Sequence, residues 1–290
     1  MQAFLHQLLS GLANGSIYAS VALALVMIFK ATHHVNFAQG ELAMFSTYVA
    51  YTLIHAGVPY WGAFVITLVF SFAIGVAIER LLLRRLRHAS ALTVVIVFIG
   101  LLVIFNGLAG PLFGFTIKEF PTPFAPNASY GSTYLSPHEV GMIGVTLIVL
   151  AIVFAFFRFT RLGLAMRASA ENPQSSRLVG IRVGWMLALG WGLASVLGAI
   201  AGMMAAPSVF LEPNMMVGIV LYGFAAALLG GIDNPWGAPI GGFIVGVLEN
   251  LAGAYVVGSH LKLALALAVI VAVVVFKPSG LFGRTVVVRV

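Results

Sequence analysis

The chain lacks cysteine altogether and carries few charged residues. Without cysteine it has no disulfide bonds, no thiolate metal sites and no cysteine nucleophile. Only 8% of its 290 residues are charged, whereas a soluble globular domain carries about 25%. Hydrophobic residues make up 61% of the chain. This composition leaves too little polar surface for a protein in water, and we therefore predict an integral membrane protein.

Four sequence patterns that mark other protein classes are also missing. The chain has no long segments of alternating polar and apolar residues, which argues against a transmembrane β-barrel. It has no G-x-x-x-x-G-K-[ST] motif and therefore no P-loop for ATP. It has neither H-E-x-x-H nor G-x-S-x-G, which weakens an intramembrane enzyme interpretation. Energy for any transport must come from another subunit or from an ion gradient.

Long apolar runs are what the chain does have, and a helix needs about 20 apolar residues to cross the hydrocarbon core. The nine runs lie at about 4–29, 41–56, 60–83, 90–110, 139–157, 185–206, 215–230, 237–257 and 261–276. We predict a single all-α polytopic membrane domain over residues 1–290, with eight or nine transmembrane helices. The seventh run is short for a crossing, so we expect either a span or a broken or re-entrant helix. The N-terminus lacks a Lys/Arg-rich region, so we expect the first span there and not a cleaved signal peptide.

The distribution of Lys and Arg predicts the orientation. If the N-terminus lies outside and nine segments alternate, 13 of the 15 Lys and Arg fall on the inside. Only Lys118 and Lys262 fall outside. Cytoplasmic loops carry the excess of Lys and Arg, so this split predicts an outside N-terminus and a cytoplasmic C-terminus. It also makes 111–138 an extracytoplasmic loop and 158–184 a cytoplasmic loop.

The longest basic segment between apolar runs, residues 158–182, carries five of the 15 Lys and Arg. Two short helical pieces are predicted around Asn172-Pro173, because Pro173 suits a first helical turn with Glu171 or Asn172 as the N-cap. Gly180 suits the end of the second helix. The second piece, at about 173–179, is then an amphipathic helix at the cytoplasmic surface.

This second piece has two interpretations, an ordinary positive-inside loop and a helix that docks a motor subunit. The helix signals favour docking. The residues to which we give the docking role are Glu171, Asn172, Pro173, Arg177, Leu178 and Gly180.

Polar residues also occur near the start of the second apolar run, where Asn36, Gln39 and Glu41 follow one another. At membrane depth such residues are tolerated only when they are buried in protein or line a cavity. They are candidates for the solute pathway, as is Asn14 in the first run. The alternative for Glu41 is a favourable charge at the start of its helix. Neighbouring His33 and His34 do not share a helix face, and we predict no metal site.

Later in the chain, Glu249 lies about twelve residues into the eighth run. An ionisable group at that depth is a functional hypothesis by default, and its alternative is a hydrogen bond to a neighbouring helix. We interpret Asn106 as such a helix–helix hydrogen bond. The turn at 230–239 contains Asp233-Asn234-Pro235, which is typical of an Asx turn. We expect packing there, with Asp233 as a candidate for an inner gate or the motor interface.

Four motifs together resemble one known family. They are G-L-A-N-G-S-I-Y-A-S-V-A-L-A-L at 11–25, N-F-A-Q-G-E at 36–41, the basic segment at 158–182, and L-L-G-G-I-D-N-P-W-G-A-P-I-G-G at 228–242 followed by Glu249. In this order and spacing they resemble the permease subunits of branched-chain amino acid ABC importers, and within them the shorter of the two homologous permeases. Gln39 stands where that family usually has histidine, which argues against a role that needs an imidazole.

The resemblance implies a non-catalytic permease subunit in a bacterial inner membrane, for branched-chain or related small apolar amino acids. It implies a homologous permease, two ABC ATPases and a periplasmic solute-binding protein, with lipid around the chain and no nucleic acid. ATP and Mg²⁺ belong to the ATPases, and this chain binds no cofactor. The binding protein is expected on the outer loops 111–138 and 207–214. Urea and short amides remain possible substrates. The other interpretations are a scaffold and an ion-gradient transporter or channel with Glu41 or Glu249 as its coupling carboxylate.

Overall fold

The computed structural model describes residues 2–32, 34–86, 89–124 and 134–283, and each of the nine apolar runs forms an α-helix in it. The helices are α1 (Gln2–Thr32), α2 (Gln39–His55), α3 (Tyr60–Leu81), α4 (Ala91–Phe113), α5 (Pro137–Phe159), α6 (Arg161–Glu171), α7 (Pro173–Leu178), α8 (Val183–Val209), α9 (Met216–Gly230), α10 (Gly237–Tyr255) and α11 (Lys262–Phe276). Short 3₁₀ helices cover Leu83–Leu86 and Ser259–Leu261. Apart from one isolated β-bridge, the described residues form no strands. The all-α prediction is confirmed.

Six of the described helices are long and apolar enough to cross a membrane, namely α1, α3, α4, α5, α8 and α10. The chain is therefore a multi-pass membrane protein. The shorter apolar helices α9 and α11 have 15 residues each. At 1.5 Å per residue they measure about 22 Å, against a hydrocarbon core of about 30 Å. The number of eight or nine spans stays a prediction.

Two helix ends differ from the sequence prediction, and both involve proline. The loop predicted at 111 begins only at Gly114, because α4 includes Pro111 and ends at Phe113. The run predicted to end at about 206 continues through Pro207 to Val209. A proline near a helix end removes one backbone donor, and each helix stops within two residues of it. Proline therefore marks these ends less sharply than the sequence analysis assumed.

The chain divides into two compact units. The first unit comprises the described residues of Met1–Val26, Phe124–Thr146 and Gly218–Val290. The second unit comprises those of Met27–Pro123 and Leu147–Val217. Three of the four boundaries fall within α1, α5 and α9, so that each of these helices contributes residues to both units, and the fourth falls between α4 and α5. The single-domain description over 1–290 stays a prediction.

In the first unit, small residues bring α1 and α10 into backbone contact. A Cβ atom at Gly246 would overlap the backbone of Gly15, and a Cβ atom at Gly11 would lie 2.9 Å from the α-carbon of Val247. Such close approach gives helices in lipid the van der Waals contact that replaces the hydrophobic effect. On α5, the Thr146 hydroxyl donates to the Ser16 carbonyl of α1 at 3.4 Å.

In the second unit, α8 is the central helix and packs against α2, α3, α6 and α7. Its Trp191 is fully buried, and the ring lies 5.7 Å from that of Phe98 on α4. Gly75 of α3 lies so close to α8 that a Cβ atom there would meet the Trp191 carbonyl. The Gly- and Ala-rich sequence of α8 permits this packing on several sides at once. By contrast, α4 exposes many large apolar side chains, as a helix in contact with lipid does.

Candidate functional site

The basic segment forms the two helices predicted around Asn172-Pro173. The Thr160 hydroxyl starts α6 by accepting from the Gly163 amide at 3.0 Å. The Asn172 side chain starts α7 by accepting from the Ser175 amide at 2.9 Å, with Pro173 in the first turn. Of the two candidate caps, Asn172 therefore makes the bond, while Glu171 is the last residue of α6. Satisfying an otherwise unpaired backbone donor stabilises a helix start.

The end of α7 is equally well defined. Gly180 has φ +82°, a conformation that glycine adopts without the strain of a side chain. Its amide donates to the Arg177 carbonyl at 3.1 Å, and the Ile181 amide donates to the Ser176 carbonyl at 3.0 Å. This pair of bonds is a Schellman motif, which satisfies the last carbonyls of a helix. The predicted stop at Gly180 is confirmed.

The tip of α7 presents an apolar pair to its surroundings. Leu178 is 89% exposed and Val179 is 76% exposed, and the neighbouring Arg177 is exposed as well. On the opposite side Ser176 is buried, and α7 packs against α8. This six-residue helix, capped at both ends, and the Val179 that follows it therefore offer leucine, valine and arginine side chains to a binding partner.

In the second unit, Asn36 and Gln39 join the turn before α2 to α8. The Asn36 amide donates to the Gln39 side-chain oxygen at 3.3 Å, and its own oxygen accepts from the Ala38 backbone at 3.1 Å. The Gln39 amide in turn donates to the Ala194 carbonyl of α8 at 3.0 Å. Both side chains are buried. The geometry gives these two pathway candidates a role in holding α2 on α8.

Glu41 lies in the first turn of α2 and is only 5% exposed. It accepts a hydrogen bond from the side-chain amide of Asn106 on α4 at 3.3 Å. The same nitrogen also lies 3.2 Å from the Pro213 carbonyl oxygen and 3.2 Å from the Asn214 side-chain oxygen. The interhelical hydrogen bond predicted for Asn106 is confirmed. Pro213 and Asn214 were not predicted as partners of Asn106, because no sequence pattern marks a carbonyl that the fold brings to a distant side chain.

In the first unit, Glu249 of α10 has a cationic partner. The Lys262 ammonium group at the start of α11 lies 2.9 Å from one oxygen of the Glu249 carboxylate. The Tyr18 hydroxyl of α1 donates to the other oxygen at 3.3 Å. The Tyr18 ring also stacks on Tyr222 of α9, with 4.9 Å between the ring centroids. From the sequence, Lys262 was assigned only to the charges outside the membrane. A single lysine at the start of an apolar run could also have indicated an ion pair with a buried carboxylate.

Asn250 extends this network to the beginning of α1. Its amide donates to the Gln7 carbonyl at 2.7 Å and to the Gln7 side-chain oxygen at 2.8 Å. Its own oxygen accepts from Lys262 at 3.3 Å. Both oxygens of the Glu249 carboxylate and both polar atoms of the Asn250 side chain therefore have partners. The hydrogen-bonding alternative for Glu249 is therefore present in the structure, and no pathway role is needed to explain its burial.

The remaining candidates lie apart from these networks. Asp233 is exposed, and it is the neighbouring Asn234 that forms the Asx turn, accepting from the Trp236 amide at 3.0 Å. Asn234 also donates to the Phe282 carbonyl at 2.9 Å. Asn14 is half-buried in α1. Within the described part of the chain, no three His, Cys, Asp or Glu residues are grouped as a metal site requires, and His33 lies outside that part.

The chain is a multi-pass helical membrane protein: its long apolar helices are joined by buried hydrogen bonds, and the short helix α7 is exposed in a loop. The chain belongs to the family described as branched-chain amino acid transport system / permease component, whose characteristic sequence matches residues 7–274. The resemblance predicted from the four motifs is thereby confirmed.

Two relatives match almost end to end. The high-affinity branched-chain amino acid transport system permease protein BraD of Pseudomonas aeruginosa is 30% identical and covers 99% of this chain and 98% of its own length. The corresponding permease protein LivH of Escherichia coli (strain K12) is 29% identical with the same coverage. Among solved structures, PsaBC from Streptococcus pneumoniae in complex with Fab matches with a TM-score of 0.49 and 15% identity, over 93% of this chain and 91% of that chain.

Proposed function

We propose that this chain is the membrane-spanning permease subunit of an ATP-driven importer for branched-chain or related small apolar amino acids. In this role it forms part of the pathway through which the solute crosses the membrane. The observation that carries the proposal is the end-to-end similarity to permease proteins whose names specify branched-chain amino acids. Because similarity covers the whole chain and not one motif, the membrane function is expected to be shared.

In a bacterial inner membrane the chain would cross nine times, with its N-terminus outside and its C-terminus in the cytoplasm. The Lys and Arg distribution supports this orientation. A further support is the β-bridge in the second unit, where the backbones of Lys118 and Leu211 exchange hydrogen bonds of 3.0 and 2.9 Å. Lys118 belongs to the predicted outer loop 111–138 and Leu211 to the predicted outer loop 207–214, so the bond favours one membrane side for both.

The chain would work with a homologous permease, two ABC ATPases and a solute-binding protein. Without a P-loop it has no nucleotide site of this kind of its own, so ATP and Mg²⁺ would be held by the ATPases. The binding protein would deliver the solute to the outer loops. In this arrangement the chain itself is not catalytic. The binding protein docks on its outer loops, and the ATPases dock on the exposed helix α7 on the opposite, cytoplasmic side of the membrane.

In the coupling step, the ATPases would press on α7 when they close on ATP. The caps at Asn172 and Gly180 keep α7 short and rigid, so a push on Leu178 moves the whole helix. Because α6 and α7 both pack against α8, the displacement passes to the central helix of the second unit. Rocking of packed helices then alternates access to the pathway.

The ion-gradient alternative needs a carboxylate that gains and loses a cation during transport. Glu249 was one candidate, but Lys262 already neutralises it at 2.9 Å and Tyr18 occupies its other oxygen. A carboxylate that is fully partnered in this way is suited to holding helices together. This arrangement argues against Glu249 as a coupling carboxylate and leaves Glu41 as the candidate for that alternative.

Purification of the chain from its native membrane tests the proposal. An ABC ATPase and a second permease are expected to accompany it, and vesicles that contain the complex should take up leucine only with ATP and the binding protein. An uncoupler should leave that uptake intact. Leucine uptake by the isolated chain that collapses with the uncoupler would contradict the proposal and favour a gradient-driven transporter.

A further inference from the structure

A group of oxygen atoms lies in the second unit where α2 and α4 meet the connection that precedes α9. Its members, called the oxygen cluster below, are Glu41, Tyr48, Asn106, Glu212, Pro213 and Asn214. The coupling step described above uses none of them. Their chemistry therefore calls for a separate explanation.

The acceptors in the oxygen cluster outnumber the donors. One nitrogen, that of the Asn106 amide, lies 3.2–3.3 Å from three acceptors: the Glu41 carboxylate, the Pro213 carbonyl and the Asn214 side-chain oxygen. An amide nitrogen has only two hydrogens, so it cannot satisfy all three acceptors at once. A primary ammonium group has three donors and a positive charge. It matches the three acceptors in number and the Glu41 carboxylate in charge.

The two buried glutamates Glu41 and Glu249 differ in a way that supports this interpretation. Both are 5% exposed. Glu249 has Lys262 as its counter-ion, whereas neither Glu41 nor Glu212 has a cationic partner among the residues that the structure describes. A buried carboxylate in a membrane segment is costly without a counter-charge. Of the two, Glu41 is the one whose environment lacks a cation.

Tyr48 provides an independent observation. Its side chain is 0% exposed, and its hydroxyl has no hydrogen-bond partner. It follows Glu41 by seven residues, two helical turns, and so lies on the same face of α2. The Tyr48 ring stacks on Phe113 of α4, with 4.8 Å between the ring centroids, which holds it between the two helices of the cluster. Glu212, next to Pro213, is within electrostatic range of its hydroxyl. A buried hydroxyl without a partner calls for an explanation, and a ligand bound between α2 and α4 would supply one.

We propose that the oxygen cluster is a transit site for the ammonium group of the amino acid that the chain carries. Glu41 supplies the opposite charge, and the Pro213 carbonyl and Asn214 oxygen accept the remaining N–H bonds once Asn106 releases them. The Tyr48 hydroxyl then finds its partner in the bound solute. Glu41 is buried, Asn106 half-buried and Asn214 exposed, so the solute reaches the site from the side of Asn214. The assignment rests on the proposed function.

The test uses the complete transporter in proteoliposomes, with radiolabelled leucine as the probe and ATP hydrolysis measured in parallel. Glu41→Gln keeps the shape and the hydrogen bond to Asn106 but removes the charge. We expect leucine uptake per ATP hydrolysed to fall about tenfold or more, while ATP hydrolysis stimulated by the binding protein is kept. Glu41→Asp, which keeps the charge, should restore part of the uptake.

The control and a second variant separate recognition from structure. Glu139→Gln removes the same charge from the capping turn of α5, where Glu139 accepts from the Ser136 amide at 2.8 Å, and should leave uptake per ATP unchanged. Tyr48→Phe removes a hydroxyl that has no partner, so folding should not suffer. If the hydroxyl meets the solute, leucine uptake per ATP falls severalfold at an unchanged thermal unfolding midpoint.

Uptake per ATP at the wild-type level in either Glu41→Gln or Tyr48→Phe would overturn the assignment, as would an equal loss in Glu41→Gln and Glu41→Asp. A wild-type complex that transports no leucine with ATP is a different result. It would contradict the proposed function, and with it this site, before any variant is compared.

Discussion

At the scale of single residues, Lys262 connects two helices of the first unit. Its ammonium group holds Glu249 at 2.9 Å and Asn250 at 3.3 Å, and so joins α11 to α10. Asn250 continues the connection to α1 through Gln7. Removing one partner of a buried ion pair leaves an uncompensated charge, whereas replacing both partners is often tolerated.

We therefore predict that Lys262→Met lowers the free energy of unfolding by up to about 3 kcal/mol. This value is at the low end of the range for breaking a buried ion pair, because Lys262 is partly exposed. The double variant Lys262→Met with Glu249→Gln should recover most of the loss. Thermal unfolding midpoints of the purified proteins in detergent measure both effects. A double variant that unfolds as early as Lys262→Met would show that the ion pair is not the cause.

At the scale of elements, α7 is a short helix that presents apolar side chains from a polar, basic loop. Its start at Asn172 and its stop at Gly180 follow from local chemistry, which is why the sequence analysis located it correctly. Its exposed Leu178 is the side chain that a docked subunit would cover.

Leu178→Ala and Arg177→Ala are expected to uncouple leucine transport from ATP use while membrane insertion stays normal. The change removes contact area at the tip of α7 without touching the caps. Leu164→Ala is the matched control, because Leu164 on α6 is also exposed, at 60%, but lies away from the tip. Leucine moved per ATP hydrolysed is the measurement, and normal coupling in both α7 variants would contradict the docking role.

The packing of α1 on α10 gives a second element-scale prediction. Gly246→Ala places a methyl group against the Gly15 backbone, so the helices must separate and the thermal unfolding midpoint should fall. Gly100→Ala on α4 meets open space and serves as the control. Alanine is the better helix former by about 1 kcal/mol, so this variant should be neutral or slightly stabilising. Equal midpoints for the two variants would contradict the close packing of α1 on α10.

At the scale of the whole molecule, the predicted orientation rests on where Lys and Arg lie if the chain crosses the membrane nine times. The chain contains no cysteine, so single cysteines introduced on either side can be labelled without a background. A membrane-impermeant maleimide should label Glu119→Cys in intact spheroplasts and label Gln174→Cys only after permeabilisation. Glu119 and Gln174 are both exposed in the structure, so each site offers surface to the reagent. The opposite pattern would require the reverse topology.

Hydropathy and end signals were sufficient to predict all nine apolar helices and both helices of the basic segment, because these depend on neighbouring residues. The partners of Glu41 and Glu249 were not predictable in this way. Asn106 lies 65 residues from Glu41, and Lys262 was known only as an outside charge. Helix packing decides which polar groups meet across helices. That packing depends on close approaches at glycines such as Gly246, which cannot be recognised from the sequence of one helix alone.

The pairing of Glu249 with Lys262 also bears on how the chain enters the membrane during synthesis. Glu249 leaves the ribosome first, and a lone ionised side chain at the centre of a helix costs roughly 2.5–3.5 kcal/mol on insertion scales. Its counter-charge follows only when α11 has been made, after a connection from residue 256 to 261. We therefore expect α10 and α11 to partition into lipid together as a hairpin. A chain terminated before Lys262 would lack α11, and its α10 would insert less stably because Glu249 would have no counter-charge.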